Sequence, residues 1–490
     1  MMGPDIMHDI AEVALRISYE AGLLAAVLFA LFGLDDLAVD ALRMAGYGRG
    51  APMRVHSGAA LARRFAIFIP AWRESAVIAP MLAHMTRMWP QADLRFYVGV
   101  YPNDSATMVA VMHAVQADAR VQMVINPKIG PTTKGDGLNQ MWHHMRRDGQ
   151  RGRFCADAII LHDAEDVVCA AEPAALDAAL READYAQIPV APLIDRRTNW
   201  VAHHYADESA ESHGRDLPVR AAIGAAMPMA GVGCAFCVRA LAQLAGADGP
   251  FADGSLTEDY ELGLRLHAAG GRARFVQAVD ERGDAIVSRA YFPDRLPAAV
   301  RQKTRWIRGT ALHGWDRLGW PMRSGASATQ RMVQGWMLWR DRRVILSALA
   351  IILAYVAMVL ALLAWTVADG SAGAIVGAPS FAARMGLMDG PGVRLLLAFN
   401  SVILLWRLVM RAYYTGRRYG AAQWPWAVVR QLGSNIILIM TGWRAFYDYA
   451  RARRGAAPVW DKTDHHFPAE TTLPHTQRAT GPHGNGTPWA

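Results

Sequence analysis

Three carboxylates, Asp163, Glu165 and Asp166, follow within five positions of the apolar run Ala158-Ile-Ile-Leu161. A buried strand that stops in acids sets them at the carboxyl edge of a sheet, where α/β proteins bind ligands. Carboxylates so close together repel unless a cation lies among them. Their hard oxygens suit Mg2+ or Mn2+, ions that usually carry a phosphate-bearing substrate. The plainer alternative is a helix N-terminus, where the dipole favours acids.

Three earlier strand ends bring further groups to the same edge. Phe65 to Ile69 is followed by Pro70-Ala-Trp-Arg-Glu74, Leu94 to Val100 by Tyr101-Pro-Asn-Asp104-Ser105, and Val121 to Ile125 by a loop with Thr133-Lys134-Gly-Asp136. Glu74 and Asp104 can accept hydrogen bonds from a base or a ribose, Lys134 can meet a phosphate, and the cluster of Asp163, Glu165 and Asp166 can hold the metal. Taken singly, each is more often a turn or a cap. Their convergence on one edge points to a site.

Two later segments carry charge in chemically suggestive order. Thr257-Glu258-Asp259 opens an amphipathic helix. Thr257 reads as its N-cap, with the acids favoured by the dipole, or Asp259 is a general base for an acceptor hydroxyl. Arg301-Gln302-Lys-Thr-Arg305-Trp306-Ile-Arg308 carries four cations and a tryptophan. It reads as a basic helix on lipid headgroups, or as a clamp in which Arg305 faces a departing pyrophosphate and Trp306 lies flat against a sugar. His203, His204 and His213 with Glu208 and Glu211 fit no standard ligand spacing and read as structural. Cys234 and Cys237 form a lone Cys-x-x-Cys, read as small core residues.

The elements that must position these groups alternate strictly. Helical stretches at Ser75 to Trp89, Ala106 to Gln116 and Gly137 to Arg147 separate the four strands. Such alternation implies a mostly parallel, Rossmann-like sheet with helices on both faces. There is no G-x-G-x-x-G after the first strand and no G-x-x-x-x-G-K-[ST], which argues against a nicotinamide domain or a P-loop NTPase.

Composition adds a membrane. Of the 490 residues, 53% are hydrophobic and 19% charged, with a net charge of +8. The arginines cluster beside apolar spans, so the positive sign reads as cytoplasmic loops, and nucleic acid is not expected as a partner. Val344 to Val367 is 24 residues without a charge, enough to span. Spans are also expected at 13–34, which lacks the basic start and cleavage site of a signal peptide, and at 393–411. Arg411, Arg417 and Arg418 place the side after 411 in the cytoplasm, and counting back puts 60–310 there too. Residues 311–343 read as an interface segment or linker. Residues 424–454, apolar but interrupted by Arg430, Gln431, Asn435 and Arg444, read as an amphipathic interface helix, with a fourth span as the alternative. Residues 471–490 read as a disordered tail.

Asp163-Ala-Glu165, Thr257-Glu258-Asp259 and Gln302-x-x-Arg305-Trp306, in that order, resemble the motifs of family 2 glycosyltransferases with the GT-A fold, especially the membrane-embedded processive branch of cellulose and hyaluronan synthases. His162-Asp-Ala-Glu-Asp-Val167, Glu211-Ser-His-Gly214, Gly231-Val-Gly233 and Val459-Trp-Asp-Lys-Thr463 look most like the NfrB-type inner-membrane transferases of the phage adsorption-protein family. The resemblance implies an α/β GT-A catalytic domain with transmembrane helices in the bacterial inner membrane. It implies Glu74 and Asp104 on the base and ribose, Lys134 on the diphosphate, and Asp163 and Glu165 on Mg2+ or Mn2+ and the diphosphate. The second metal acid is Glu165 where the motif usually has Asp, so Asp166 competes for that role. Asp259 would deprotonate the acceptor beside Glu258, and Gln302, Arg305 and Trp306 would line the acceptor exit.

The expected activity is therefore inverting transfer of a sugar from a nucleoside diphosphate sugar, of the UDP class, to a glycan or lipid acceptor in envelope or exopolysaccharide synthesis. Membrane lipid and an outer-membrane export partner complete the expected company. Two alternatives stand beside it: a non-catalytic membrane component for polysaccharide export or phage adsorption, and a single transfer to a lipid-linked acceptor.

Overall fold

The computed structural model describes residues 4–195, 198–371, 390–454 and 466–468. A two-residue strand β1 (Met53–Arg54) precedes β2 (Phe65–Pro70), β3 (Leu94–Val100), β4 (Val121–Ile125), β5 (Ala158–Leu161), β6 (Tyr185–Gln187), β7 (Cys234–Cys237), β8 (Ala273–Phe275) and β9 (Ala278–Val279). Seven of these form one sheet in the order β4-β3-β2-β5-β7-β6-β8, while β1 pairs with β9 apart from it. β2 to β5 run parallel to one another; β7 lies antiparallel to both β5 and β6, and β8 is parallel to β6.

The central strands are apolar throughout because helices cover both faces. Phe65 to Ile69 and Ala158 to Ile160 are fully buried. Phe68 pairs with Leu161, so the chain leaves β5 at His162 beside the end of β2, and both loops open onto one edge. The helix Ile78–Met88 starts later than the expected Ser75, after a turn in which Val77 and Ile78 donate to the Glu74 carbonyl. The helices Ser105–Ala117 and Lys134–Gln150 complete the first half.

Among the described residues, three helices are long and apolar enough to cross a membrane: Asp9–Met44, Val344–Thr366 and Pro391–Tyr419. The first helix, Pro4–Met44, continues well past the expected end at Leu34. The acids that would end a span there are met by cations. Arg340 and Arg343 reach Asp36 at 3.1 and 2.8 Å, and Asp40 accepts from Arg215 at 3.0 Å and from the Trp406 indole at 2.8 Å. The first helix is thereby bound to the α/β domain by buried ion pairs.

The stretch read as a linker holds two helices, His313–Leu318 and Ala328–Arg342, the second opened by a reciprocal Ser327–Gln330 capping box. The helix Trp424–Ala452 bridges the α/β domain and the long apolar helices. Its Ile437 packs with Val201, Tyr205 and Ala299, and its Gly442 faces Ala348 so closely that a Cβ would stand 2.5 Å from the alanine methyl. The expected tail at 471–490 lies outside the described residues.

Candidate active site

The loops after β2, β4 and β5 and the helices Glu258–Ala268 and Leu296–Ile307 enclose a cavity of about 1640 Å³. Glu74, Lys134, Asp163, Glu165, Glu258, Asp259, Gln302, Arg305 and Trp306 all line it.

Lys134 is its electrostatic centre. The side chain opens the helix Lys134–Gln150, whose N-cap Thr133 accepts from the Asp136 amide. The Lys134 ammonium lies 2.7 Å from Asp163 and 3.6 Å from Glu258. Burial alone would lower its pKa, but Asp163, Glu258 and Asp259 outweigh burial and hold it well above the usual lysine range. Asp259 comes to the same place because Gly231 has no side chain. At φ +75° a Cβ on Gly231 would stand 2.6 Å from Asp259 Oδ2 and 3.4 Å from Lys134 Nζ, a backbone and a gap that only glycine fits. Burial and then the neighbouring Glu258 push the Asp259 carboxyl up to about 7, where a general base works best at neutral pH.

The turn carrying Asp163 is held from below. Asp166 Oδ2 accepts from the Asp163 amide at 3.0 Å and meets His162 Nδ1 at 2.8 Å. His162 Nε2 lies 2.9 Å from Glu172. Burial would lower His162; the two carboxylates outweigh it and raise its pKa to about 10. Asp166, only 2% exposed, is thus engaged in shaping the turn. Asp163 and Glu165 remain the more exposed oxygen donors at the cavity wall.

These two acids fit a divalent ion of the Mg2+ class, which is usually held by one or two carboxylates and completed by water and substrate phosphates. Among the described residues no three His, Cys, Asp or Glu side chains form a closed ion cage, so further ligands would come from a phosphate-bearing substrate.

The remaining expected residues lie as follows. Asp104 is not among the cavity-lining residues. It caps the helix Ser105–Ala117 through Thr107 N at 3.4 Å and accepts from Arg73 N at 2.5 Å. Arg73 has φ +55°, a left-handed backbone that Asp104 helps hold, so Asp104 supports the Glu74 turn. Thr257 occupies the N-cap position, yet its hydroxyl makes no capping bond; Gly309 lies against it instead. The Trp306 ring meets Tyr205 at 6.0 Å and Phe292 at 6.4 Å, both edge-on. Cys234 and Cys237 are free and buried, and three positions apart on a strand they face opposite sides.

Sequence reasoning missed several lining residues. Lys128, paired with Asp136 at 2.6 Å, faces the cavity from an irregular loop that no motif marks. Glu208 does so from the helix Trp200–Glu211, and His466 and Pro468 from the far end of the chain. Phe467 anchors that end beside Val167, Leu193 and Tyr291. The aromatic and proline in His465-His466-Phe467-Pro468 were the available signal.

Residues 62–309 match the family model described as glycosyltransferase like family 2. The chain is 33% identical over 434 residues to bacteriophage adsorption protein B of Escherichia coli K12, a match covering 85% of this chain and 56% of that protein. The chain thus spans about half the length of the curated relatives it matches. Among solved structures, the mannosyltransferase PcManGT from Pyrobaculum calidifontis, in complex with GDP-Man and Mn2+, aligns with a TM-score of 0.46 and 13% identity over 84% of this chain and 98% of its own. TarS of S. aureus in complex with UDP-GlcNAc aligns with a TM-score of 0.36 and 10% identity over 73% of this chain and 92% of its own. With its mostly parallel sheet, acidic strand end and matched domain, the chain belongs to the glycosyltransferase-like family 2.

Proposed function

We propose that the protein transfers a sugar from a nucleoside diphosphate sugar, of the UDP class, to an acceptor hydroxyl with inversion, at the cytoplasmic face of the inner membrane. The observation that carries this reading is that Lys134 brings Asp163 and Asp259 to one cavity: it pairs with the first at 2.7 Å and shares the Gly231 gap with the second.

Asp163 and Glu165 would hold a Mg2+ or Mn2+ ion. When bound, such an ion neutralises charge on the departing diphosphate. The chain's own groups do the rest. Glu74 takes the nucleoside end, on a turn braced by Asp104. Lys134 and Arg305 face the diphosphate and balance the negative charge that grows there. Asp259 accepts the proton of the acceptor hydroxyl as its oxygen bonds to the anomeric carbon. The bond from that carbon to the diphosphate breaks, and the electron pair leaves with the diphosphate. Attack from the face opposite the leaving group inverts the centre. Gln302 and Trp306 line the acceptor side.

Three apolar helices and the basic residues Arg411, Arg417 and Arg418 support a multi-pass protein with a cytoplasmic catalytic domain. The helix Trp424–Ala452 is an interface helix on this reading. Its packing against the wall helix Leu296–Ile307, through Ile437 and Ala299, supports a second version in which the acceptor is lipid-linked.

The test is nucleotide release by the purified full chain across a panel of UDP- and GDP-sugars with Mg2+ or Mn2+. Release from at least one donor, abolished by EDTA and restored by either ion, is the expected result. No release with any donor would leave a binding component in place of an enzyme.

A further inference from the structure

The cavity is larger than one donor needs. Its roughly 1640 Å³ exceeds the ~300–1,000 Å³ of ordinary small-molecule sites. Phe292, Trp306 and the helix Trp200–Glu211 form one part of its wall. There the Glu208 side chain, 43% exposed, faces the cavity at the end of an ordered hydrogen-bond chain.

Lys303 Nζ donates to Glu208 Oε2 at 2.5 Å and to His204 Nε2 at 2.6 Å. His204 is fully buried, and burial lowers its pKa to about 3. Its ring is therefore neutral at neutral pH, and with Nε2 accepting, Nδ1 carries the proton. That proton goes to Ser434 Oγ at 2.6 Å. Arg411 also donates to Ser434 Oγ, at 2.9 Å, and the Ser434 hydroxyl donates to the Arg430 carbonyl at 3.1 Å. Lys303 is thus the double donor of the chain, giving one proton to Glu208 at the cavity and another toward His204, Ser434 and the helix Trp424–Ala452. Lys303 further sits 5.3 Å from the centre of the Tyr205 ring, which packs against Phe292 and Trp306.

A carboxylate has about four lone-pair sites and no donor. Lys303 takes one, and those left can receive only donors. Hydroxyls beside flat aromatic walls describe a sugar ring, whose hydroxyls donate and whose C–H faces lie on aromatic surface. We propose that Glu208 binds the hydroxyls of a pyranose in the acceptor, and that Lys303, His204 and Ser434 position it from the helix Trp424–Ala452. The inference rests on the transferase reading above and adds the acceptor class and the residue that selects it.

The test uses the full chain in nanodiscs, an active donor, and methyl glucoside, N-acetylglucosaminide, mannoside and galactoside as acceptor probes. At least one should accelerate nucleotide release saturably. Glu208→Gln, folded by its melting curve, should raise the KM for that glycoside by about tenfold or more, with kcat changed far less. Ser434→Ala should raise the same KM, and Ser434→Thr, which keeps the hydroxyl, should restore it; a packing role would not distinguish them in that order. A hexyl glycoside with a KM below that of its methyl counterpart identifies a lipid-linked ring, and equal values a free glycan. No acceleration by any glycoside, or an unchanged KM in Glu208→Gln, overturns the proposal. Absence of nucleotide release by the wild type under every condition instead overturns the transferase reading beneath it.

Discussion

The ammonium of Lys134 lies 2.7 Å from the carboxylate of Asp163, and this one cation also faces Glu258 and Asp259. Removing it leaves three acids competing for the same space. Lys134→Met should therefore lower kcat/KM for donor turnover by roughly 10²–10³, the loss typical of one preorganised electrostatic group. Steady-state nucleotide release measures it.

Asp259→Asn keeps shape and removes the base, so turnover should fall by about 10²–10⁴. Nucleotide affinity, read by calorimetry, should stay near wild type.

The pH profile follows from the same side chain. A base whose pKa is raised to about 7 is protonated and idle below that value and active above it. The acidic limb of kcat/KM should therefore fall about tenfold per unit as pH drops below 7. A limb centred near pH 4, the ordinary aspartate range, would show that the Asp259 carboxyl is not raised in the working enzyme.

Gly231→Ala adds a methyl 2.6 Å from Asp259 Oδ2 at a backbone angle of φ +75°. The strain is worth about 1–2 kcal/mol. The larger effect is on position: displacing the base by an ångström costs on the order of 10² in rate. Expression and melting should change modestly while kcat drops.

Asp207 is fully buried between the catalytic domain and the last helix, 2.7 Å from Arg430 and 3.7 Å from Arg411. Asp207→Ala strands two buried guanidinium groups, a loss of about 3–5 kcal/mol. The thermal midpoint in detergent should fall by several degrees, and less in Asp207→Asn.

The strands β2, β3, β4 and β5 were legible because they are covered on both faces and so read as unbroken apolar runs. The acids after them were legible because a strand end is a fixed address. What the residues do there was less so. Asp104 carries the right charge at the right address but is drawn off to a left-handed backbone at Arg73, and nothing in the local sequence announces that strain. Glu208 and His204 had the composition of a metal site, yet a lysine 95 residues from Glu208 converts them into a hydrogen-bond chain. The first membrane helix was read too short because Asp35 and Asp36 look like a stop, and their partners Arg340 and Arg343 come from about 300 positions away.

Phe467 seats itself beside Val167, next to the acidic turn, and so turns the last described stretch of chain into masonry for a chamber begun four hundred residues earlier. A fragment cut after the helix Trp424–Ala452 would keep the acidic turn, Thr257-Glu-Asp259 and Gln302 to Trp306 and still lack the Phe467 wall. Whoever trims this protein for crystallisation at residue 454 should expect a draughty room, and should measure activity on the untrimmed chain first.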